Sequence, residues 1–261
     1  MNILLKNKSA LIGGSSKGLG KAVARQLAMS GAKVTLMASN EKRLIKTVNE
    51  LKEKTGIDHK YLVVDFNNFQ EYKKIIKDYL CKNSIDILIN NTQGPKVGDV
   101  MSVSIEDYQK SFDLLFKNVV FTTMLALENM KKNKWGRIIN MASVSVKEPL
   151  SYLAMSNSIR AAVTTWAKTL SNDLGPYNIT VNNILTGYFN TDRINEINSE
   201  KAKKLNIKIE KVYDAMKDLV PLKRLGDPKE FAYLLTFLAS ENSAYINGAN
   251  IPIDGGLIKS L

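Results

Sequence analysis

The chain has 261 residues, of which 44% are hydrophobic and 24% charged, a composition typical of a soluble globular protein with a large apolar core. No apolar run is long enough to cross a membrane, and the first residues become charged too soon for a signal peptide. A single cysteine excludes an internal disulfide, so we expect a cytoplasmic protein.

The formal net charge is +12, and most of it comes from lysines scattered through the predicted helices. No aromatic-rich basic strand or nucleic-acid motif accompanies this charge, so we interpret it as a solvated surface and expect no nucleic-acid partner. The excess can still steer anionic small ligands toward the protein. The only histidine, His59, cannot build a triad or a metal cluster, so we interpret it as structural and expect no metal.

Apolar runs and amphipathic stretches alternate along the chain. The predicted strands cover residues 9–12, 34–38, 61–65, 85–90, 137–141, 179–184 and 250–253. The predicted helices cover residues 20–30, 41–55, 72–82, 105–132, 152–174 and 228–240. This alternation predicts right-handed crossovers and a Rossmann-like, doubly wound α/β fold with about seven parallel strands and helices on both faces. No repeat, linker or low-complexity segment divides the chain, so we expect one domain over residues 1–261.

A glycine-rich turn follows the first predicted strand. Gly14, Gly18 and Gly20 are spaced as Gly-x-x-x-Gly-x-Gly and lead directly into a helix. Glycines at such a turn let the backbone approach a pyrophosphate, which then lies at the N-terminus of the helix. Glycines also simply end strands, but the position after the first strand favours a dinucleotide site.

A second polar cluster begins where the fifth predicted strand ends. Ser143 follows that strand, and Tyr152, Ser156 and Arg160 are spaced i, i+4 and i+8 in the next predicted helix. That spacing places the three side chains on one side of the helix. Ligands of doubly wound sheets bind at the carboxyl ends of the strands, so we predict a site that includes Ser143 and this stripe.

The chain resembles the short-chain dehydrogenase/reductase family over essentially its whole length. The resemblance rests on the glycine turn, Asp65, Asn90-Asn91, residues 136–143, Gly187-x-x-x-Thr191 and Ile253-Asp-Gly-Gly256. The nearest members by motif are β-ketoacyl-acyl-carrier-protein-reductase-like proteins, including a divergent subgroup with Ser-Asn-x-x-Arg in the active-site helix. The resemblance implies an NAD(P)-dependent oxidoreductase that interconverts a carbonyl and an alcohol.

The resemblance also implies a set of cofactor-binding residues. They are Gly14, Ser16, Lys17, Gly18, Leu19, Gly20, Ser39, Asn40, Asp65, Asn91, Arg160 and Thr191. NAD-specific folds tend to have an acidic residue after the second strand, where it binds the ribose, whereas NADP requires cations. This chain has Ala38-Ser39-Asn40 there, with Lys17 nearby, so we predict NADP over NAD; an ordinary exposed lysine at a helix start is the alternative for Lys17.

The departures from the family pattern affect its catalytic tetrad of Asn, Ser, Tyr and Lys. Ser156 and Arg160 stand at the tyrosine and lysine positions, and Leu115 stands at the asparagine position with Asn118 one turn further along. Only Ser143 is retained. A serine is a far weaker acid than a phenol, and an arginine is effectively never deprotonated, so the family's proton transfer cannot be carried over.

Other residues could supply the proton. Tyr152, Tyr188 and Lys147 are candidates, although the tyrosines could equally be packing residues and Lys147 an exposed loop cation. We predict that the catalytic residues are Ser143, Ser156, Arg160 and Tyr152.

Three functions stay open at this stage. The first is an NADP-dependent reductase of a small carbonyl compound with a non-standard proton source. The second is a pseudoenzyme that binds nucleotide as a sensor or scaffold without turnover, and the third is another reaction at the same site, such as an elimination. We expect a substrate lid within residues 188–220 and, from the resemblance, a homo-oligomer (dimer or tetramer).

Overall fold

A computed structural model describes residues 3–260, and its seven strands form one sheet in the order β3-β2-β1-β4-β5-β6-β7. The strands are β1 Ser9–Ile12, β2 Lys33–Ala38, β3 Lys60–Val63, β4 Ile87–Asn90, β5 Gly136–Met141, β6 Ile179–Thr186 and β7 Asn250–Ile253. Each neighbouring pair is parallel, which confirms the predicted doubly wound fold. The order reverses between β1 and β4, so a ligand crevice is expected at their carboxyl ends.

The helices are α1 Gly18–Met29, α2 Glu41–Thr55, α3 Phe69–Leu80, α4 Ile105–Phe112, α5 Asn118–Asn133, α6 Ala154–Leu174, α7 Asp192–Leu205, α8 Ile209–Leu219 and α9 Pro228–Leu238. Ile12 of β1 packs into a core with Leu27 of α1 and Phe231 of α9. The adjacent Leu11 packs on the opposite face with Ile76 of α3 and Ile159 of α6. Successive side chains of a strand point to opposite faces, so helices cover both sides of the sheet.

Most helix ends follow from local sequence. Asn40 and Asn68 cap α2 and α3 by accepting backbone N–H groups, and Gly56 ends α2 with a φ of 70°, a left-handed conformation that favours glycine. Ser104 begins α4 in a capping box with Asp107. Within residues 3–260 no helix is both long and apolar enough to span a membrane.

The predicted helix over 105–132 is interrupted. A π-helical turn over Asp113–Lys117 separates α4 from α5. The side-chain amide of Asn118 donates to the carbonyl oxygens of Leu114 (3.3 Å) and Phe66 (2.7 Å). A side chain inserted into the ladder of helical hydrogen bonds is a known cause of such a distortion.

Helix α6 begins at Ala154 rather than at 152, which corrects the predicted stripe. Tyr152 lies before the first helical turn because the chain there forms an isolated parallel bridge between Gly98 and Leu153. Its carbonyl oxygen accepts a hydrogen bond from the N–H of Gly98 at 3.0 Å. Ser156 and Arg160 remain one turn apart on the helix, whereas Tyr152 does not share their helical face.

Four asparagines in register form a ladder across the second half of the sheet. Asn90 donates to Asn140, Asn140 to Asn183, and Asn183 to Asn250, each at 2.8 Å. These pairs are direct neighbours in strands β4 to β7. Asn140 and Asn183 are fully buried, so the ladder satisfies side-chain amides that would otherwise be costly to bury.

Candidate active site

A large pocket opens at the carboxyl ends of β1, β4, β5 and β6, with a volume of about 550 Å³. One part is lined by the glycine turn, Ser39 and Asn91, and another by Ser143, Ser156 and Arg160. The turn after β1 and the serine after β5 therefore face the same space, as the sequence predicts.

Close approach of backbones holds the glycine turn in place. The side-chain amide of Asn91, just after β4, donates to the carbonyl oxygen of Gly13 at 3.0 Å. A Cβ atom at Gly13 would lie 2.1 Å from the Asn91 carbonyl oxygen, and one at Gly20 would lie 2.3 Å from the Gly14 carbonyl oxygen. Both positions therefore require glycine in this chain.

The N-terminus of α1 points into this pocket without a side-chain cap. Lys17 at the N-cap position provides no capping hydrogen bond, and the first turn contains no acidic residue. Side chains cap α2, α3, α4, α7 and α9, whereas α5, α6 and α8 lack a side-chain cap as α1 does. The free N–H groups and the positive end of the helix dipole make this terminus suited to a phosphate.

An ion pair connects the glycine turn with α7. The Lys17 ammonium group lies 3.0 Å from the Glu196 carboxylate, and Arg193 lies 3.7 Å from the same carboxylate. These cations hold the pKa of Glu196 below its usual value, with Lys17 the larger cause. Glu196 was not predicted from the sequence, because it lies 179 positions from Lys17 and no local pattern marks the pairing.

Most of the predicted cofactor-binding residues line the pocket: Gly14, Ser16, Lys17, Gly18, Leu19, Gly20, Ser39, Asn91, Arg160 and Thr191. Asn40 and Asp65 do not line it. The side chain of Asn40 instead accepts the Arg43 N–H at the start of α2, and that of Asp65 accepts two hydrogen bonds from Asn67. Phe66, next to Asp65, does line the pocket.

Ser143 begins a short 3-10 turn at the end of β5. Its Oγ accepts a hydrogen bond from the N–H of Ser145 at 3.1 Å. The loop that follows is fixed to the end of the chain, because the Glu148 carboxylate accepts the N–H groups of Lys259 (2.6 Å) and Ser260 (2.8 Å). Ser143 is therefore anchored at both its strand and its loop.

Ser156 and Arg160 contact each other within α6. The guanidinium Nε of Arg160 donates to Ser156 Oγ at 3.2 Å, and its Nη1 donates to the carbonyl oxygen of Met141 at the end of β5. Burial lowers the pKa of Arg160 to about 10. The Met141 contact was not predicted, since nothing in the sequence specifies which carbonyl a guanidinium reaches.

Tyr152, Tyr188 and Lys147 do not line the pocket. Burial raises the pKa of Tyr152, and Tyr188 raises it further, which makes this phenol a weaker acid than a free tyrosine. Lys147 is exposed, and the role of Tyr152 as an acid/base stays a prediction.

An apolar wall completes the pocket. It consists of Pro95, Val97, Leu153, Ile194 and Ile197. The isolated bridge between Gly98 and Leu153 brings two of these, Val97 and Leu153, to the start of α6. Of this wall, only Ile194 and Ile197 fall within residues 188–220, the segment predicted to contain the substrate lid.

Comparisons with known proteins agree with this geometry. The model of a family described as Enoyl-(Acyl carrier protein) reductase matches residues 14–258. The NADPH-dependent reductase BacG of Bacillus subtilis is 30% identical, with 98% of this chain and 100% of the relative covered. The 3-oxoacyl-[acyl-carrier-protein] reductase FabG of Aquifex aeolicus is 28% identical over the same shares of the two chains.

A solved structure has the same fold. L-sorbose reductase from Gluconobacter frateurii, in complex with NADPH and L-sorbose, superimposes with a TM-score of 0.94 at 29% identity, with full coverage of both chains. The family match, the curated relatives and this fold all bear out the resemblance found in the sequence, and the chain belongs to the short-chain dehydrogenase/reductase family of oxidoreductases.

Proposed function

We propose that this protein is an NADP-dependent oxidoreductase that reduces the carbonyl group of a small molecule, with Ser143 donating a hydrogen bond to the carbonyl oxygen. One observation carries the proposal: the glycine turn after β1 and Ser143 after β5 line the same pocket of about 550 Å³. A dinucleotide extending from the turn would therefore reach the serine.

The residues present fit a dinucleotide. The uncapped terminus of α1 offers N–H groups to its phosphates. Gly18 adopts a φ of 57°, and its nearest neighbour across the turn is Thr191, about 3.8 Å from where a Cβ would be. The backbone at Gly18 is thus open toward the pocket. When bound, the nicotinamide supplies a hydride, while Thr191 and Arg160 border the space available to its carboxamide and ribose.

NADP is favoured over NAD by charge. Ser39 lines the pocket after β2, and the adjacent Asn40 is uncharged, so no carboxylate on these two residues opposes a phosphate on the ribose. Lys17, at the start of α1, lines the same pocket. The relatives BacG and L-sorbose reductase are an NADPH-dependent reductase and an NADPH complex, respectively, which supports the same choice.

The substrate would be a ketone or its alcohol with an apolar part. The wall that contains Val97 and Leu153 lies beside Ser156 in the pocket, and burying apolar groups there would contribute to binding. The similarity to a 3-oxoacyl-[acyl-carrier-protein] reductase makes 3-oxoacyl thioesters the first compounds to examine.

The test is to incubate the protein with NADPH and a panel of ketones and 3-oxoacyl thioesters while NADPH oxidation is followed. We expect turnover with at least one substrate, and about a 100-fold lower kcat in Ser143→Ala because a donor to the reacting oxygen is lost. Tight NADPH binding without oxidation of NADPH by any substrate would contradict the proposal.

A pseudoenzyme is the second candidate, because Ser156 and Arg160 replace the tyrosine and lysine of the family. Such a protein would bind NADPH and change its partners or its conformation without turnover. NADPH binding that is unaffected by Ser143→Ala, together with the absence of turnover, would favour this second function.

Two further proposals concern larger units. Helices α7 and α8 occupy the segment predicted to be the lid. Ile194, Glu196 and Ile197 of α7 border the pocket, so we propose that α7 opens and closes it.

We also propose a homo-oligomer with contacts along α5 and α6, where Met124 is 55% exposed. Light scattering that gives a monomer mass would contradict the latter.

A further inference from the structure

The turn that begins at Ser143 ends at Glu148. Ser143 caps a 3-10 turn over Val144–Val146, and the N–H of Glu148 donates to the carbonyl oxygen of Val144 at 3.1 Å. Short turns of this kind have poorer hydrogen-bond geometry than α-helices, so contacts from outside the turn matter for its position. Glu148 is the residue through which the turn makes such a contact.

The side chain of Glu148 binds a second segment, residues 254–260. Its Oε1 accepts the N–H of Lys259 at 2.6 Å and the N–H of Ser260 at 2.8 Å. These two N–H groups hold the pKa of Glu148 below its usual value, with Ser260 the larger cause. Hydrogen bonds to an ionised acceptor are stronger than those between neutral groups. We call this pair of hydrogen bonds the Glu148 clasp.

The segment that Glu148 binds is itself held in place. The Asp254 carboxylate accepts the N–H of Gly256 at 3.0 Å and that of Ile258 at 2.9 Å. The carbonyl oxygen of Gly255 accepts the N–H of Leu222, just after α8, at 3.3 Å. Residues 254–260 are therefore a fixed support to which the turn can be attached.

Apolar contacts join the same two parts of the chain. Leu257 and Ile258 pack against a small buried cluster that consists of Ala142, Val144 and Leu185. This cluster includes both neighbours of Ser143 in the sequence. The support thus contacts the start of the turn through apolar side chains and its end through the Glu148 clasp.

We propose that Glu148 is a positioning residue for Ser143, because the Glu148 clasp fixes the turn and with it the Ser143 hydroxyl in the pocket. Glu148 does not line the pocket, so it acts through Ser143 and touches no reacting atom. A displacement of about 1 Å at the reacting atoms can cost about 100-fold in rate. The clasp can therefore affect catalysis from outside the pocket.

The effect on the rate rests on the proposed function, in which Ser143 donates to the carbonyl oxygen, but the effect on the turn does not. The turn can be followed without turnover, by amide hydrogen exchange in residues 143–148 and 254–260. Glu148→Ala removes the acceptor from the clasp. Glu148→Gln removes the charge but retains a side-chain oxygen that can accept both N–H groups.

The experiment measures amide exchange, and kcat and KM with the best ketone, in both variants. We expect Glu148→Ala to exchange about tenfold faster in both segments and to lower kcat about tenfold, with KM and the Kd of NADPH changed less than about twofold. Glu148→Gln should keep kcat within about threefold of the unmutated protein. A role limited to overall stability would give neither this split nor this rescue.

Asp86→Ala is the matched control. Asp86 Oδ2 also accepts two hydrogen bonds, from the N–H and the hydroxyl of Ser9 at 2.8 and 2.9 Å, but it lies at the amino ends of β1 and β4, away from the pocket. Its loss should leave kcat and the exchange of residues 143–148 unchanged. Ile258→Ala loosens the support from its apolar side and should reproduce the effects of Glu148→Ala, so the test does not depend on the folding of one variant.

The outcomes separate the clasp from the proposed function. Faster exchange in Glu148→Ala, without turnover of any ketone by the unmutated protein, supports the clasp while the reductase proposal fails. Turnover with an unchanged kcat in Glu148→Ala overturns the positioning role while the reductase proposal stands. Unchanged exchange in residues 143–148, or equal losses of kcat in Glu148→Gln and Glu148→Ala, also overturns it.

Discussion

His59 illustrates how one residue is fixed by its surroundings. Its Nδ1 accepts the N–H of Val34 at 3.1 Å, and its Nε2 lies 3.0 Å from the Thr55 hydroxyl. Burial lowers the pKa of His59, and the neighbouring Lys33 lowers it further, against the smaller opposing effect of Asp58. The imidazole is thus held neutral with an acceptor nitrogen toward β2, in agreement with the structural role predicted from the sequence.

The lowered pKa of His59 predicts how the free energy of unfolding depends on pH. A group whose pKa is lower in the folded than in the unfolded chain binds more protons when unfolded, so its contribution is present above the unfolded pKa of about 6.5 and is lost as pH falls below it. We expect the free energy of unfolding to decrease from pH 7.5 to pH 5.5. Since His59 is the only histidine, His59→Asn should flatten this slope; an unchanged slope in urea titrations would contradict the assignment.

Tyr152 is the second residue whose role can be measured. Burial and the neighbouring Tyr188 raise the pKa of its phenol, and the residue does not line the pocket. We therefore expect Tyr152→Phe to change kcat by no more than about twofold, since only a group positioned at the reacting atoms contributes the factors typical of acid catalysis. A hundredfold loss, with Tyr188→Phe unaffected, would make Tyr152 the proton donor after all.

At the scale of elements, the asparagine ladder joins four strands. Replacing Asn140 with leucine leaves the Asn183 oxygen without its donor and removes one of two acceptors from Asn90. An unsatisfied buried polar group costs about 1–3 kcal/mol, so we expect Asn140→Leu to lower the free energy of unfolding by about 2–4 kcal/mol. Urea denaturation measures this value.

Asn250 provides the control for the ladder. It is exposed at the edge of the sheet, where water can replace it as the partner of Asn183. Asn250→Ala should therefore cost less than about 1 kcal/mol. Equal losses in the two variants would indicate that the ladder adds nothing beyond the individual side chains.

The pair between Lys17 and Glu196 joins the glycine turn to α7. Both side chains are partly exposed, at 42% and 49%, so the pair itself contributes little to stability. Glu196 also lines the pocket, so we expect its carboxylate to compete with a bound phosphate for Lys17. We expect Glu196→Gln to bind NADPH about two- to fivefold more tightly, because this range corresponds to a surface pair.

Asp214→Asn is the matched control for this pair. Asp214 pairs with Lys217 on α8 at 3.1 Å, away from the residues that line the pocket, so its loss should leave the Kd of NADPH unchanged. Fluorescence titration measures both variants. Weaker binding in Glu196→Gln would mean that the pair orders the site rather than competing for it.

The elements differ in how far the sequence predicts them. The alternation of apolar strands and amphipathic helices along the chain predicted a parallel sheet with helices on both faces. Strands such as β1 are buried on both faces, and few other folds cover both faces of a sheet. The start of α6 was placed two residues early, because the bridge of Leu153 to Gly98 overrides helical periodicity. The π-turn depends on Asn118 reaching a carbonyl 52 positions away, which no local pattern can encode.

The site also contains residues that the sequence predicts and residues that it does not. The glycine turn and Ser143 both lie at strand ends. The turn was predicted from the spacing of its glycines and its position after the first strand, and Ser143 from its position after the fifth. Asn40 was predicted to bind cofactor, yet its side chain caps α2, because capping and ligand binding draw on the same residue types. Glu196 and the apolar wall come from distant segments, so they required the fold.

For the whole molecule, the net charge of +12 predicts steering of an anionic cofactor. We expect the association rate of NADPH to fall severalfold as ionic strength rises from about 0.01 M to 0.3 M, since screening shortens the Debye length. NADH carries less charge, so its rate should fall less. Stopped-flow fluorescence compares the two, and equal salt dependence would mean that the net charge does not act on the phosphates.

The asparagine ladder has one more property, which is its direction. In all three contacts the nitrogen belongs to the earlier strand and the oxygen to the later one, so the amide dipoles are aligned along the row. Turning a single inner amide by 180° would oppose like groups on both of its sides, and the row can reverse only as a unit. The three buried side chains therefore behave as one cooperative element, and the NH₂ resonances of Asn90, Asn140 and Asn183 should exchange with solvent together.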